Sequence, residues 1–310
     1  MKRTVTAVIV TYNRLEKLKY TIDNSLQEDL EKIVVVNNNS NDGTKEYLDS
    51  FKSERLVVKH LDENIGGAGG FNVGIQLALE QENVDWIVCY DDDSYPKKGA
   101  ISTFKGQSLD EISAVAAAVY LPNGAISVMN KVRFNPFKNM KIFIDTFLKR
   151  KSIYVSEESY KKETNISIDA STFVGFFVKA SVVRTIGLPR KELFIYADDL
   201  IYTLEMTMQK HKLLFMPNVK FTHDCSTLID EKDIYDPIWK VYYTYRNRIE
   251  MYRISSKWLY LPITFLKIPF WFNKNKFYVN KKLYKKLLFT AILDAFKRDF
   301  SKKLSDILMM

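Results

Sequence analysis

The sequence predicts an α/β protein: a mostly parallel, doubly wound sheet with helices on both faces, followed by a helical extension rich in basic and aromatic residues. Three observations carry that reading. Short β-branched apolar runs alternate with helix-spaced segments over the first ~100 residues. The runs end in polar clusters, Thr11-Tyr12-Asn13, Asn37-Asn38-Asn39 and Asp91-Asp92-Asp93, and open α/β sheets bind ligands beyond such strand ends. From about residue 236 the composition turns to Tyr, Phe and Trp interleaved with Lys and Arg, which divides the chain into 1–235 and 236–310.

Each element follows from its pattern. Residues 4–11 and 33–36 are β-branched runs bounded by turn residues, and Leu15, Leu18, Ile22 and Leu26 recur between them at helical spacing. Ser40-Asn41-Asp42-Gly43 is a turn and cap leading into a helix over 45–51. A third strand over 56–59, a helix over 71–80 and a fourth strand over 86–90 complete the first half. Beyond it, strands are expected at 114–120 and 172–178 and helices at 180–186 and 200–208, with little period in 121–168.

With 310 residues the chain can bury a full core. Its two cysteines, Cys89 and Cys225, lie in or beside apolar runs, which suits a reducing compartment and argues against a disulfide framework. The basic start, Met1-Lys2-Arg3, precedes an apolar stretch without a cleavage site and reads as the first strand, not a leader. Charge is uneven. Of 46 Lys and Arg against 37 Asp and Glu, residues 251–310 hold 13 and 3, leaving the first 250 near neutrality.

Three neighbouring carboxylates after a buried strand repel one another and raise their own pKa values. A hard divalent cation relieves that repulsion, and Mg²⁺ or Mn²⁺ then completes its shell with phosphate oxygens. The competing structural role for Asp91–Asp93 is a solvated acidic turn. Asn64-Ile65-Gly66-Gly67-Ala68-Gly69-Gly70-Phe71-Asn72 is a glycine-dense turn opening a helix, a place for backbone to approach a phosphate, or simply a turn. Asp198-Asp199 precedes a helix and serves as cap or as general base. His223 is one of three histidines, and a lone histidine is more often structural than a ligand.

Val8-Ile9-Val10-Thr11-Tyr12-Asn13-Arg14, Val36-Asn37-Asn38-Asn39-Ser40-Asn41-Asp42-Gly43-Thr44, the acidic triplet, the glycine-dense turn and Phe194-Ile195-Tyr196-Ala197-Asp198-Asp199-Leu200 together resemble family 2 glycosyltransferases of the GT-A fold. The galactofuranosyl- and rhamnosyltransferase branch is the most similar. That resemblance implies an inverting, single-displacement transfer from a UDP- or dTDP-linked sugar to a saccharide or lipid-linked saccharide. By it, Asp91, Asp93 and His223 would hold Mn²⁺ or Mg²⁺, and Asp199 would be the base with Asp198 beside it. Thr11, Asn13, Arg14, Asn38, Gly66, Gly67 and Asp92 would line the donor site. Asn38 stands where many relatives have Asp. Glu205 stands where the family usually has Arg, and Ile201 where a second acid is common. Phe173, Phe176 and Phe177 are offered where relatives shape the acceptor site with tryptophan.

The basic, aromatic tail is too interrupted by Pro262 and Pro269 to span a bilayer. It fits an in-plane helix on anionic lipid, placing the protein in the cytoplasm, peripheral on the inner face of the cell membrane. Packing on the body or a homo-oligomer interface are the structural alternatives. A nucleic-acid binder using the tail would leave the acidic clusters beside a polyanion, so nucleic acid is not expected as a partner. A nucleotidyltransferase would need a basic glycine-rich loop at the first strand, which this sequence lacks there.

Overall fold

The structure, a computed structural model, describes residues 3–225 and 234–310. Its strands are β1 (Val5–Thr11), β2 (Lys32–Asn37), β3 (Leu56–His60), β4 (Trp86–Asp91), β5 (Ser94–Pro96), β6 (Ala114–Tyr120), β7 (Ile166–Ile168), β8 (Phe176–Lys179) and β9 (Leu213–His223). They form one sheet in the order β3-β2-β1-β4-β8-β6-β9-β5, with β7 also on β9. Pairing is parallel from β3 through β4 and between β6 and β9, and antiparallel on both sides of β8. The carboxyl ends of β1, β2, β3, β4, β6 and β9 therefore share one edge. Thr11, Asn37, Asp91 and His223 are the last residues of four of those strands.

The strands read as continuous apolar runs because both faces are covered. Val8, Val10, Val34 and Val36 pack with Phe71 and Ile75 on one face, and Ala7, Ile9, Ile33 and Val35 with Leu18 and Ile22 on the other. Helices α1 (Leu15–Leu26), α2 (Thr44–Ser50), α3 (Gly66–Leu79), α4 (Ala100–Lys105), α5 (Met140–Phe147), α6 (Glu157–Lys161), α7 (Ala180–Ile186) and α8 (Asp198–Met208) accompany the sheet. Helices α9 (Lys240–Ser256), α10 (Tyr260–Asn273), α11 (Lys281–Lys297) and α12 (Leu304–Leu308) follow it.

Besides short elements in the stretches read as irregular, three differences from the sequence reading bear on the sheet. α3 starts at Gly66, five residues before the expected start, because its glycines let the helix lie directly on the sheet. A Cβ on Gly70 would meet Val10 at 2.4 Å, and one on Gly74 would meet Val8 at 2.4 Å. The strand expected at 172–178 begins only at Phe176, since Gly175 turns with φ +67° against Ala117 and Phe221. β9 was not anticipated. Pro217 and Asn218 break its pattern where the β6–β9 register shifts, between Ala117 and Ala118.

The C-terminal helices have a core of their own, with Tyr242, Tyr245, Trp271, Tyr284 and Leu288 buried together. They are also fused to the body: Ala68, Leu193 and Ile201 share a cluster with Met251, Ile254 and Phe300.

Candidate active site

β4 delivers the acidic triplet to the shared edge. Burial, then the charge of Asp93, raises the Asp91 carboxyl to about 7. Burial raises Asp92 to about 6 although Arg14 opposes it. Asp93 goes the other way: burial would raise it, but His223 and Arg14 outweigh burial and lower it. Arg14 Nη1 lies 2.7 Å from Asp93 Oδ2 and 3.4 Å from Asp92 Oδ1. Arg14 thus supplies part of the positive charge the triplet requires, and the backbone N–H of Tyr12 donates to Asp92 Oδ2 at 3.3 Å.

His223 Nε2 stands 3.1 Å from Asp93 Oδ1. The other ring nitrogen, Nδ1, donates to Asn130 Oδ1 at 2.8 Å. Ser127 Oγ donates to the same oxygen and the Asn130 amide nitrogen donates to Thr172 Oγ1, which fixes the amide's orientation. A hydrogen on Nδ1 leaves Nε2 to face Asp93: burial opposes the charged ring, but Asp93 and Asp91 raise the His223 pKa, so a proton bridges the pair until a cation replaces it on Nε2. The ligand atoms of Asp93, His223 and Cys225 all lie within 4.8 Å of one another. A buried carboxylate, an imidazole nitrogen and a thiol converging on one point fit a divalent cation. Of the three expected ligands, Asp93 and His223 are in this cluster. Asp91 is one residue outside it in role, coupled by charge to both. Cys225 was not anticipated. Its only sequence signal is the His-x-Cys spacing, which returns to the same side of an extended chain.

The donor-side residues divide. Asn13, Arg14 and Asp93 line a cavity of about 400 Å³ with Leu15, Glu16, Lys17 and Asp42. Asn13 is in the left-handed region (φ 53°) and its side-chain oxygen accepts the N–H of Asn41 at 2.8 Å. Thr11 is buried at the end of β1. Asn38 is occupied within the fold: it accepts from Ile65 N–H and donates to Asn64 Oδ1 and the Gly66 carbonyl. Gly66 is needed where a Cβ would strike the Phe194 carbonyl at 2.1 Å, whereas Gly67 faces open space. Phe173, Phe176 and Phe177 are buried in the core, so the acceptor site is not built from their rings.

Asp198 and Asp199 open α8 from a contorted loop. Phe194, Tyr196 and Ala197 all have positive φ, at 66°, 67° and 61°, a conformation side-chain-bearing residues resist. Asn247 on α9 holds it by donating to the carbonyls of Leu193, Ile195 and Tyr196, each at 2.9 Å. Arg246 adds bonds to the Glu192 and Leu193 carbonyls, and the Phe194 carbonyl accepts from Ala68 N–H at 3.1 Å. Burial and then Asp199 push Asp198 far above the usual carboxylate range, with Asp91 adding to it. Asp199 is raised by burial; the Leu200 N–H, Arg133 and the Phe173 backbone work against that shift. Asp198 thus faces the triplet, and Asp199 the side of Arg133 and Phe173.

This architecture is the GT-A fold. The solved structure of GalNAc-T7 with UDP, GalNAc and Mn²⁺ superimposes with a TM-score of 0.60 at 14% identity, over 99% of this chain and 57% of that one. The mannosyltransferase PcManGT from Pyrobaculum calidifontis, in complex with GDP-Man and Mn²⁺, gives 0.54 at 13% identity, over 100% and 79%. Residues 6–182 match glycosyl transferase family 2, and the chain belongs to that family: it is a glycosyltransferase. The dTDP-rhamnosyl transferase RfbF of Shigella flexneri is 27% identical over 268 residues, 85% of this chain and 84% of the relative. The galactofuranosyltransferase GlfT1 of Mycobacterium tuberculosis is 25% identical over 277 residues, 80% and 82%.

Proposed function

We infer that the protein moves a sugar, galactofuranose or rhamnose before a common hexopyranose, from a UDP- or dTDP-linked donor to a saccharide or lipid-linked saccharide. The transfer inverts the anomeric carbon and serves cell-surface polysaccharide synthesis at the inner face of the cell membrane. No helix among the described residues is long and apolar enough to cross that membrane. The observation that carries the reading is the buried Asp93 Oδ1 held 3.1 Å from the Nε2 of an oriented His223, with Cys225 in the same cluster.

Asp93 and His223, with Asp91 adjoining, would hold Mn²⁺ or Mg²⁺; when bound, the cation neutralises charge developing on the leaving diphosphate. Arg14 and Asn13 border the cavity that receives the donor. Asp199, turned away from the triplet, accepts the proton of the incoming hydroxyl, and its raised pKa suits a base that must both take and hold a proton. Asp198 orients the loop between base and triplet. Attack by the acceptor itself, with no enzyme nucleophile interposed, gives inversion in one displacement.

Transfer assayed with a panel of UDP- and dTDP-sugars, with Mn²⁺ and then with EDTA, tests this, the product's anomeric configuration being read by NMR. Full activity in EDTA would remove the metal from the scheme. A product with the donor's configuration would remove single displacement.

A further inference from the structure

Two exposed apolar surfaces fall outside the catalytic machinery. On α10 and the turn before it, Trp258, Leu261, Phe265, Leu266 and Phe270 are all exposed, Trp258 to 75% and Leu266 to 71%. Positions 261, 262, 265, 266, 269 and 270 occupy one half of the helix circumference, so that face is apolar up to Asn273 at the helix end. Thr264 and Trp271 on the opposite side are buried. The second surface is α5, which has no buried residue at all and exposes Met140, Ile144 and Phe147, with Leu148 just beyond.

The two surfaces are joined. Asn135, which precedes α5, donates from its amide to the Ser255 carbonyl at 3.2 Å, immediately before Trp258. Asn135 N–H in turn donates to Asp169, whose other carboxylate oxygen pairs with Lys138 at 2.6 Å. The Asp169 carbonyl accepts from Thr207 on α8, the helix that carries Asp199 in its first turn. One hydrogen-bonded path thus links both apolar surfaces to the element bearing the base, on its acceptor side.

The charge around them is mostly positive, the one acid of α5, Asp145, being paired with Lys149 and Lys151. Residues 251–293 contain no Asp or Glu. Lys257, Lys267, Lys276, Lys281, Lys282 and Lys285 are exposed there, and Lys141 and Arg150 flank α5. Large apolar faces rimmed by uncompensated cations match an anionic bilayer, with aromatics entering the headgroup zone and lysines meeting lipid phosphates.

We propose that α5 and the outer face of α10 form a single docking rim that seats the enzyme on an anionic bilayer and presents Asp199 to an acceptor anchored in that bilayer. The rim is a surface property and stands without turnover. Its link to a lipid-anchored acceptor rests on the glycosyltransferase reading.

The test is cosedimentation of the full chain with vesicles of phosphatidylcholine alone and of equal parts phosphatidylcholine and phosphatidylglycerol, with Trp258 fluorescence followed in parallel. Binding is expected to the anionic vesicles, with a blue shift, reduced but not abolished by high salt because apolar burial is unscreened. The double variant Phe265→Ser, Phe270→Ser should bind about tenfold more weakly or worse. Because Phe270 is exposed and Phe265 gives up only a surface stack on Phe296, its circular dichroism and its turnover with a water-soluble acceptor should match the parent. The paired variant Ile144→Ser, Phe147→Ser should weaken binding as well; vesicle binding unchanged by it would overturn the two-part rim. A parent that stays in the supernatant at low salt refutes the proposal. So does a lipid-free dimer in sedimentation velocity that the Phe265→Ser, Phe270→Ser variant dissociates, since the face then belongs to a second copy. Vesicle binding without any sugar transfer would sink the catalytic reading and leave the rim in place.

Discussion

Replacing Asn247 by alanine should cost turnover far more than it costs donor binding. The side chain lies on α9, outside the sheet, and touches no group proposed to react. Its amide satisfies three carbonyls of the loop that carries Asp198 and Asp199, and three residues of that loop sit at positive φ. Each such residue stores ~1–3 kcal/mol of strain. Each buried carbonyl left unpaired costs a further ~1–3 kcal/mol. The Leu193 carbonyl keeps its bond from Arg246, so the variant leaves the Ile195 and Tyr196 carbonyls unpaired and the local loss is about 2–4 kcal/mol. That suffices to let residues 194–197 relax toward ordinary backbone and to carry Asp199 out of place. A displacement of ~1 Å at a reacting group costs about a hundredfold in rate. The expected result is therefore a kcat lowered by roughly 10²-fold with the donor KM changed little. Steady-state kinetics with varied donor reads it. Asn247→Ala combined with Ala197→Gly should recover part of the loss, because glycine accepts the left-handed conformation without penalty. A merely destabilising substitution would not be rescued this way. Turnover within twofold of the parent, or a loss that Ala197→Gly leaves untouched, would refute the clamp.

Other outcomes follow from the same geometry. Asn130→Ala should weaken Mn²⁺ binding by about 10–100-fold, the usual worth of a residue that orients a metal-bound histidine; calorimetric titration of the metal alone measures it, and unchanged affinity would release His223 from the ligand set. Asp199→Asn should lower turnover by ~10²–10⁴-fold and Asp198→Asn less; a reversed order would move the base one residue upstream. Because the Asp199 carboxyl must be ionised to act and its pKa is raised, activity should fall as pH drops through a limb above 3.8, and Asp199→Asn should abolish that limb. Gly74→Ala should destabilise the fold by about 1–3 kcal/mol, since the new methyl would sit 2.4 Å from Val8 and 3.1 Å from Val36; chemical denaturation reads that, and a neutral substitution would show that α3 can lift off the sheet.

What was legible in the sequence was local. Val5–Thr11, Lys32–Asn37 and Trp86–Asp91 combine β-branched burial with a polar last residue, and that alone puts their chemistry on one edge once the strands are parallel. The glycine-dense turn was visible but its purpose was not. Its spacing suggested phosphate, whereas Gly66, Gly70 and Gly74 are required by Phe194, Val10 and Val8, contacts fixed only when helix and sheet meet. Asn38 has a second role the sequence did not show: a polar residue at a strand end can serve a ligand or staple a neighbouring turn, and here it makes three bonds to residues 64–66.

The residues that position the site are the ones no window of sequence could supply. Asn130 reaches His223 across 93 positions, and Asn247 reaches the base loop across 51 to 54. Neither sits in a motif of acids, glycines or histidines. Asn130 lies in a stretch without period, and Asn247 lies in the Tyr- and Arg-rich segment whose composition fitted a membrane surface, packing on the body and an oligomer interface alike. In that segment composition had two structural meanings at once. Tyr242, Tyr243, Tyr245 and Arg246 are fully buried, while Trp258, Phe265 and Phe270 one helix later are exposed. Aromatic and basic residues occur in both, so their presence alone does not tell the buried stretch from the exposed one; the side of the helix that meets the body does. The inner half of the extension therefore braces the loop at 193–197, and on the proposed scheme it bears on the base while the outer half meets the surface that presents the acceptor.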